Sequence, residues 1–152
     1  MTYAKGTEVS VEKSRVEIET ILRRYGATHF GYMTSPHKSQ VAFEAKGRRI
    51  RFDLPLPDRK AFLRDGRGSP RGPAQIEKAW EQGCRERWRA LVLCIKAKLE
   101  SVESNIESFE EAFLAHIVLP NGETVGAITS PRLAAIYAGS DVPLLPAPGR
   151  AS

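Results

Sequence analysis

The chain has 152 residues, 41% of them apolar and 27% charged, with a net charge of +5. That size suits one domain with a hydrophobic core of its own. No apolar run approaches the roughly 18 residues of a membrane-spanning helix, and the opening MTYAKGTEVSVEK has no apolar stretch of the kind a secretory signal needs, so a cytoplasmic, membrane-free setting is expected.

The charge is unevenly placed. Residues 46–98 hold 15 Lys/Arg against 6 Asp/Glu, whereas residues 100–123 hold 6 Glu and no Lys or Arg. Such asymmetry fits a basic surface facing a polyanion, or an acidic segment folded back to neutralise a basic one.

Residues 1–9 read as a flexible arm. Ser10 is a helix-cap candidate, and Val11, Ile18, Leu22 and Tyr25 share one face of a helix that Gly26 should stop. Three strands should follow. Phe30 and Tyr32 alternate in 27–34, Val41, Phe43 and Ala45 in 40–46, and Ile50, Phe52 and Leu54 in 48–54, with Arg49, Arg51 and Asp53 on the opposite side. A two-residue Gly47-Arg48 turn would pair Lys46 with Arg49, Glu44 with Arg51, Phe43 with Phe52 and Ala45 with Ile50. Pro55 and Pro57 end the meander, since neither ring can donate to a ladder. Residues 58–73, punctuated by Gly66, Gly68, Pro70, Gly72 and Pro73, read as a flexible basic loop.

Ile76, Trp80, Cys84, Trp88, Leu91, Ile95, Leu99 and Val102 then recur at helical spacing, which predicts one helix over 74–102, on the order of 40 Å long. Its centre, 90–95, is apolar all round. The sheet and small helices should cover it, or a second copy of the helix in a homo-oligomer. Cys84 and Cys94 lie about 15 Å apart along the axis, too far to bond to each other.

Ser108-Phe109-Glu110-Glu111 is a capping box opening a shorter helix with Phe109, Phe113 and Ile117 on it. Residues 117–119 fit either its end or a short strand. In 124–137 a strand could lead into a helix capped by Ser130-Pro131, or one helix could cover the whole; a helix over 131–138, stopped by Gly139, is preferred. The proline-rich end reads as a strap to 146 and a flexible tail over 147–152. The expected fold class is therefore α+β: an N-terminal helix, a three-stranded antiparallel meander, a long basic helix and one or two smaller helices, in a single domain over 10–146.

The chemistry-bearing residues are mostly cations. Lys46, Arg48, Arg49 and Arg51 should project from the polar side of the hairpin, and Arg64, Arg67 and Arg71 from the loop. The guanidinium fork suits phosphate oxygens, and a mobile Arg/Gly loop can order on a nucleic-acid backbone. The competing reading is a solvated basic surface. Trp80 and Trp88 sit at helical spacing among apolar neighbours, which places them in a core rather than under a nucleobase. Glu44-Ala45-Lys46 resembles the E-x-K strand signature of the restriction-endonuclease-like nucleases. The only acids upstream, Glu8, Glu12, Glu17 and Glu19, fall in the arm or first helix, and Glu44 has a cross-strand arginine, so a metal-dependent nuclease is the weakest reading. His29, His37 and His116 lack zinc-site spacing, and no nucleophile signature or phosphate-binding glycine motif occurs. No catalytic residue, metal or cofactor is expected.

The segments TEVSVEKSRVEIETILRRYGATHFGY, FEAKGRRIRFDLPLP, KAWEQGCRERWRALVLCIKAKLESVES and FEEAFLAHIVLPNGETVG resemble a family of small uncharacterised proteins of tailed bacteriophages and prophages. The resemblance runs from about residue 7 to Leu144-Leu145-Pro146 and brings no catalytic residues with it. It implies a phage product at work in a bacterial cytoplasm, as an accessory factor of phage DNA metabolism or an antagonist of host defence. A meander leading into a long helix is also loosely like the β-β-β-α core of single-strand annealing proteins, a likeness of topology alone. The leading expectation is a non-enzymatic accessory protein that binds nucleic acid, single-stranded DNA first, and the alternative is an inhibitor of a host defence protein.

Overall fold

The structure, a computed structural model, describes residues 3–148. Its first helix, α1 (Val11–Arg24), begins where Ser10 Oγ accepts from the Lys13 amide, and it ends in Arg23 and Arg24, which suit the negative end of the dipole. Gly26, at φ 96°, turns the chain out of the helix. Three strands follow, β1 (Thr28–Thr34), β2 (Lys38–Ala45) and β3 (Arg48–Pro55), and they form an antiparallel sheet in the order β1-β2-β3.

The β2–β3 register differs from the expected one. Glu44 faces Arg49, Phe43 faces Ile50 and Val41 faces Phe52, because Lys46 and Gly47, not Gly47 and Arg48, form the turn. Both central residues have positive φ, 52° and 74°, the geometry whose twist matches that of the flanking strands. Moving the turn one position towards the N-terminus moves each partner by two. The period of a strand is also two, so every side chain keeps its face. Val41, Phe43, Ile50, Phe52 and Leu54 therefore still point into the core.

The long helix α2 (Pro73–Glu103) opens with proline at its first position and lies under that face. Trp88, Leu91, Val92, Ile95 and Leu99 are buried against α1 and the sheet, so one copy of the chain covers the inner side of the apolar centre of the helix. The outer side of that centre is not buried: Leu93 is half-buried, and Ala90, Cys94 and Ala97 are exposed. Both cysteines are free thiols.

Residues 101–124 close one end of the core between α2 and the sheet. Asn105, at φ 57°, ends α2 and takes the chain towards the capping box of α3 (Phe109–Phe113), where Ser108 Oγ accepts from Glu111 N. Phe113 is fully buried at the centre of an aromatic cluster. It meets Phe43 and Phe52 edge-on, each at 6.2 Å, and Phe109 at 4.8 Å. A 3-10 turn, Leu114–His116, stacks His116 on Phe52 at 4.0 Å. Ile117 then bridges Ile50, and the Val118 amide donates to the Arg49 carbonyl, so the free edge of β3 is partly covered.

Three expectations are corrected here. One helix, α4 (Val125–Tyr137), the alternative to the preferred shorter helix over 131–138, covers the stretch: Thr124 caps it seven residues before Pro131, which sits inside and forgoes one helical hydrogen bond. Residues 3–9 are docked rather than loose. Ala4 is buried, the Gly6 amide donates to Glu86 Oε1 at 2.9 Å, and Gln82 donates to the Thr7 carbonyl at 2.9 Å. The segment 58–73 is built rather than formless, as the next subsection details. Of the expected tail 147–152, residues 149–152 lie outside the described residues. No helix among the described residues is long and apolar enough to cross a membrane.

Candidate nucleic-acid interface

The seven cations singled out from the sequence do not form one patch. Lys46, Arg48, Arg49 and Arg51 belong to the hairpin tip and the start of β3, whereas Arg64, Arg67 and Arg71 follow the other end of β3, about 25 Å along the strand. The hairpin group is itself divided. Arg49 and Arg51 face outwards. Arg48 and Lys46 turn towards the helices, Arg48 to Glu110 at 2.6 Å and Lys46 over the ring of Tyr25 at 5.3 Å.

Carboxylates offset most of the hairpin charge. Arg49 lies 3.5 Å from Glu44, and Arg51 lies 3.7 Å from Asp53 while donating to the Gly122 carbonyl at 2.9 Å. Glu44 also meets His29 at 3.4 Å. His29 takes φ 56° at a bulge in β1, an unusual conformation for a residue with a side chain. Glu44 thus keeps company with a cation and an imidazole, and no group of three His, Cys, Asp or Glu placed to hold a metal occurs among the described residues. Its predicted partner was Arg51. The shift of the turn substitutes Arg49.

The loop group has a different character. Asp65 organises it: Oδ1 accepts from the amides of Arg67 and Ser69, both at 2.9 Å, and Gly68 supplies the positive φ of the turn, 82°. Arg64 Nη1 donates to the Gly68 carbonyl at 2.8 Å. Arg71 Nη1 donates to the carbonyls of Arg64 and Phe62 at 2.8 and 3.2 Å. These bonds are to neutral acceptors, so the two charges are not cancelled, and each guanidinium retains donors. The Arg67 side chain has no hydrogen-bond or ion-pair partner among the described residues. Upstream, Arg59 stacks on Trp80 at 3.7 Å and pairs with Glu77, fixing the start of the loop to α2.

Comparison with family models, curated proteins and solved structures gave no match. No relative therefore carries an activity over to this chain, and the reading of its surface rests on chemistry alone.

The acidic segment 100–123 neutralises little of the basic region; its one ion pair with the hairpin is Glu110 to Arg48. The carboxylate that does hold α2 comes from α1. Glu17 binds both Arg89 and Lys96, and the hydrogen bonds from Arg89 and then Lys96 hold its pKa down at about 2.

One site was missed. Arg15 lies on the inner face of α1 between Val11 and Ile18, in a pocket with both tryptophans of the chain. The signal was present in the sequence: Val11, Ile18, Leu22 and Tyr25 leave one helical step unfilled, and Arg15 fills it with a charge.

Proposed function

We propose that this protein binds the sugar–phosphate backbone of nucleic acid, with single-stranded DNA as the first candidate, through the 59–71 loop at the start of α2. The observation that carries the reading is the ordered loop presenting Arg64, Arg67 and Arg71 with no carboxylate paired to any of them among the described residues. Backbone already held by Asp65 loses less entropy on contact than a formless loop would. The hairpin arginines contribute less, because Glu44, Asp53 and Glu110 already face them.

The test is a fluorescent single-stranded oligonucleotide titrated across a salt series. Three phosphate contacts predict a slope of log K against log salt of about −2, and Arg67→Ala should make it shallower by about 0.7. Arg49→Ala and Arg51→Ala should change it less. Absence of binding at low salt, or a slope indifferent to the loop arginines, would remove the proposal.

A second reading is a protein partner, which in the phage setting implied by the resemblance is a component of host defence. The apolar surface of α4 supports it: no side chain of this helix is buried, and Leu133 and Tyr137 are exposed. That reading predicts a stable stoichiometric complex with one host protein and little affinity for bare DNA.

A further inference from the structure

A cavity of about 370 Å³ opens between the start of α1, the first half of α2 and the turn that joins β1 to β2. Its size is that of a small-ligand pocket. Trp80, Trp88 and Leu56 supply apolar wall, Thr34 and Ser39 supply hydroxyls, and two guanidinium groups, those of Arg15 and Arg85, face into it.

Neither of those two cations is paired with a carboxylate. Several other cations have found carboxylates: Arg89 and Lys96 bind Glu17, Arg23 binds Glu19 and Arg59 binds Glu77. Arg15 has not. Its guanidinium lies 4.9 Å over the ring of Trp88, Nη2 donates to Thr34 Oγ1 at 3.2 Å, and Nε is buried with no acceptor. Arg85 is bound only to the neutral amide of Gln82, at 2.9 and 2.6 Å. Glu12 and Glu81 line the same cavity, yet neither is paired with Arg15 or Arg85. The hydroxyl chain continues inwards, since Thr34 Oγ1 lies 3.2 Å from the buried Ser39 Oγ.

Removing a guanidinium from water without a counter-charge costs free energy that packing on tryptophan offsets only in part. A site that holds two guanidinium groups without carboxylate partners beside two hydroxyls and an apolar wall is complementary to an oxyanion that carries an apolar body. From this geometry we infer that the Arg15 cavity is a binding site for a small organic anion, a carboxylate or phosphate monoester attached to a flat apolar group. The anionic head lies between Arg15 and Arg85 and accepts from Thr34 and Ser39, and the apolar body rests against Leu56 and the tryptophans. This site shares no residue with the 59–71 loop, so it stands or falls independently of the nucleic-acid reading.

Both tryptophans of the chain line the cavity, so intrinsic fluorescence reports on it directly. The full chain is titrated with phenyl phosphate and with benzoate, with inorganic phosphate at equal ionic strength as the reference. Saturable quenching by one or both organic anions, at concentrations below those at which inorganic phosphate acts, is expected. A response to phenyl phosphate alone assigns a phosphate ester, and a response to benzoate alone assigns a carboxylate. Arg15→Met should weaken binding by about tenfold or more while leaving the melting temperature equal or higher, since it removes an uncompensated charge and retains the packing on Trp88. Arg85→Gln, a change nearer the surface, gives a second reading and should weaken binding by about the same order. No saturable quenching by either organic anion would overturn the inference. So would undiminished binding in both variants, or a fall of several degrees in the melting temperature of Arg15→Met with binding intact, because the arginine would then be a structural brace.

Discussion

Glu17 shows how one side chain can fasten two helices. It reaches from α1 to Arg89 and Lys96 on α2, with Lys96 Nζ at 2.6 Å, and these partners hold its pKa at about 2, below the ordinary 4.5. A carboxyl with a depressed folded pKa stabilises the fold fully above its unfolded value and loses that contribution as pH falls from 4.5 towards 2. Part of the shift is screened by solvent, which leaves about 1–2 kcal/mol. Glu17→Gln should be less stable than the parent by that amount at pH 7, with the gap closing near pH 2, as followed by urea denaturation across pH. His116 acts in a higher window. Burial, with the neighbouring Lys98, lowers its pKa from 6.5, so the neutral imidazole stacks on Phe52 and stability begins to fall once pH drops below 6.5. His116→Phe should flatten the denaturation profile in that range and leave the lower window unchanged.

Among the elements, the boundaries visible in the sequence were those with a local chemical cause. Ser10, Gly26, Pro73 and the Ser108–Glu111 box each act within a few residues, and each stands where the structure starts or stops a helix. The β2–β3 turn was misplaced for a physical reason. A Gly-first turn and an X-Gly turn one residue earlier both satisfy the alternation, because the two registers differ by one full strand period. The left-handed conformation of Lys46 at φ 52° decided between them, and nothing about a lysine announces it. It also predicts a stabilising change. Lys46→Asn puts a residue tolerant of that conformation in front of Gly47 and should add about 0.5 kcal/mol, read as a raised denaturation midpoint with an unchanged slope. A lower midpoint would mean that the Lys46 contact with Tyr25, at 5.3 Å, matters more than the backbone. The loop arginines were legible as residues but not as a site, since which of them keep free charge depends on Asp65 and on carbonyls brought together by the fold.

At the scale of the whole molecule, burial is concentrated in roughly the first three quarters of the chain. The core runs from Ile18 to Ile117, and α4 adds no buried side chain to it. This helix is held at its base, where Gly126 approaches Ala115 so closely that a Cβ would lie 2.9 Å from the Ala115 carbonyl oxygen, and near its end, where Arg132 donates to the Pro143 carbonyl at 2.7 Å. Its outer half presents Leu133, Ile136 and Tyr137 to solvent, and the segment after it adds Val142, Leu144 and Leu145. Two substitutions on the same helix should therefore behave oppositely. Gly126→Ala forces α4 away from the 3-10 turn beneath it and should cost about 1 kcal/mol or more, as overpacking does. Leu133→Glu combined with Ile136→Glu touches no core contact, so the melting temperature should move by less than about 2 °C. Binding of a hydrophobic dye should fall at the same time, because the apolar surface itself has been removed. If the double glutamate variant melts several degrees lower, α4 is an integral layer of the domain; if it melts with the parent and binds less dye, α4 is an apolar projection carried by a fold that is complete without it.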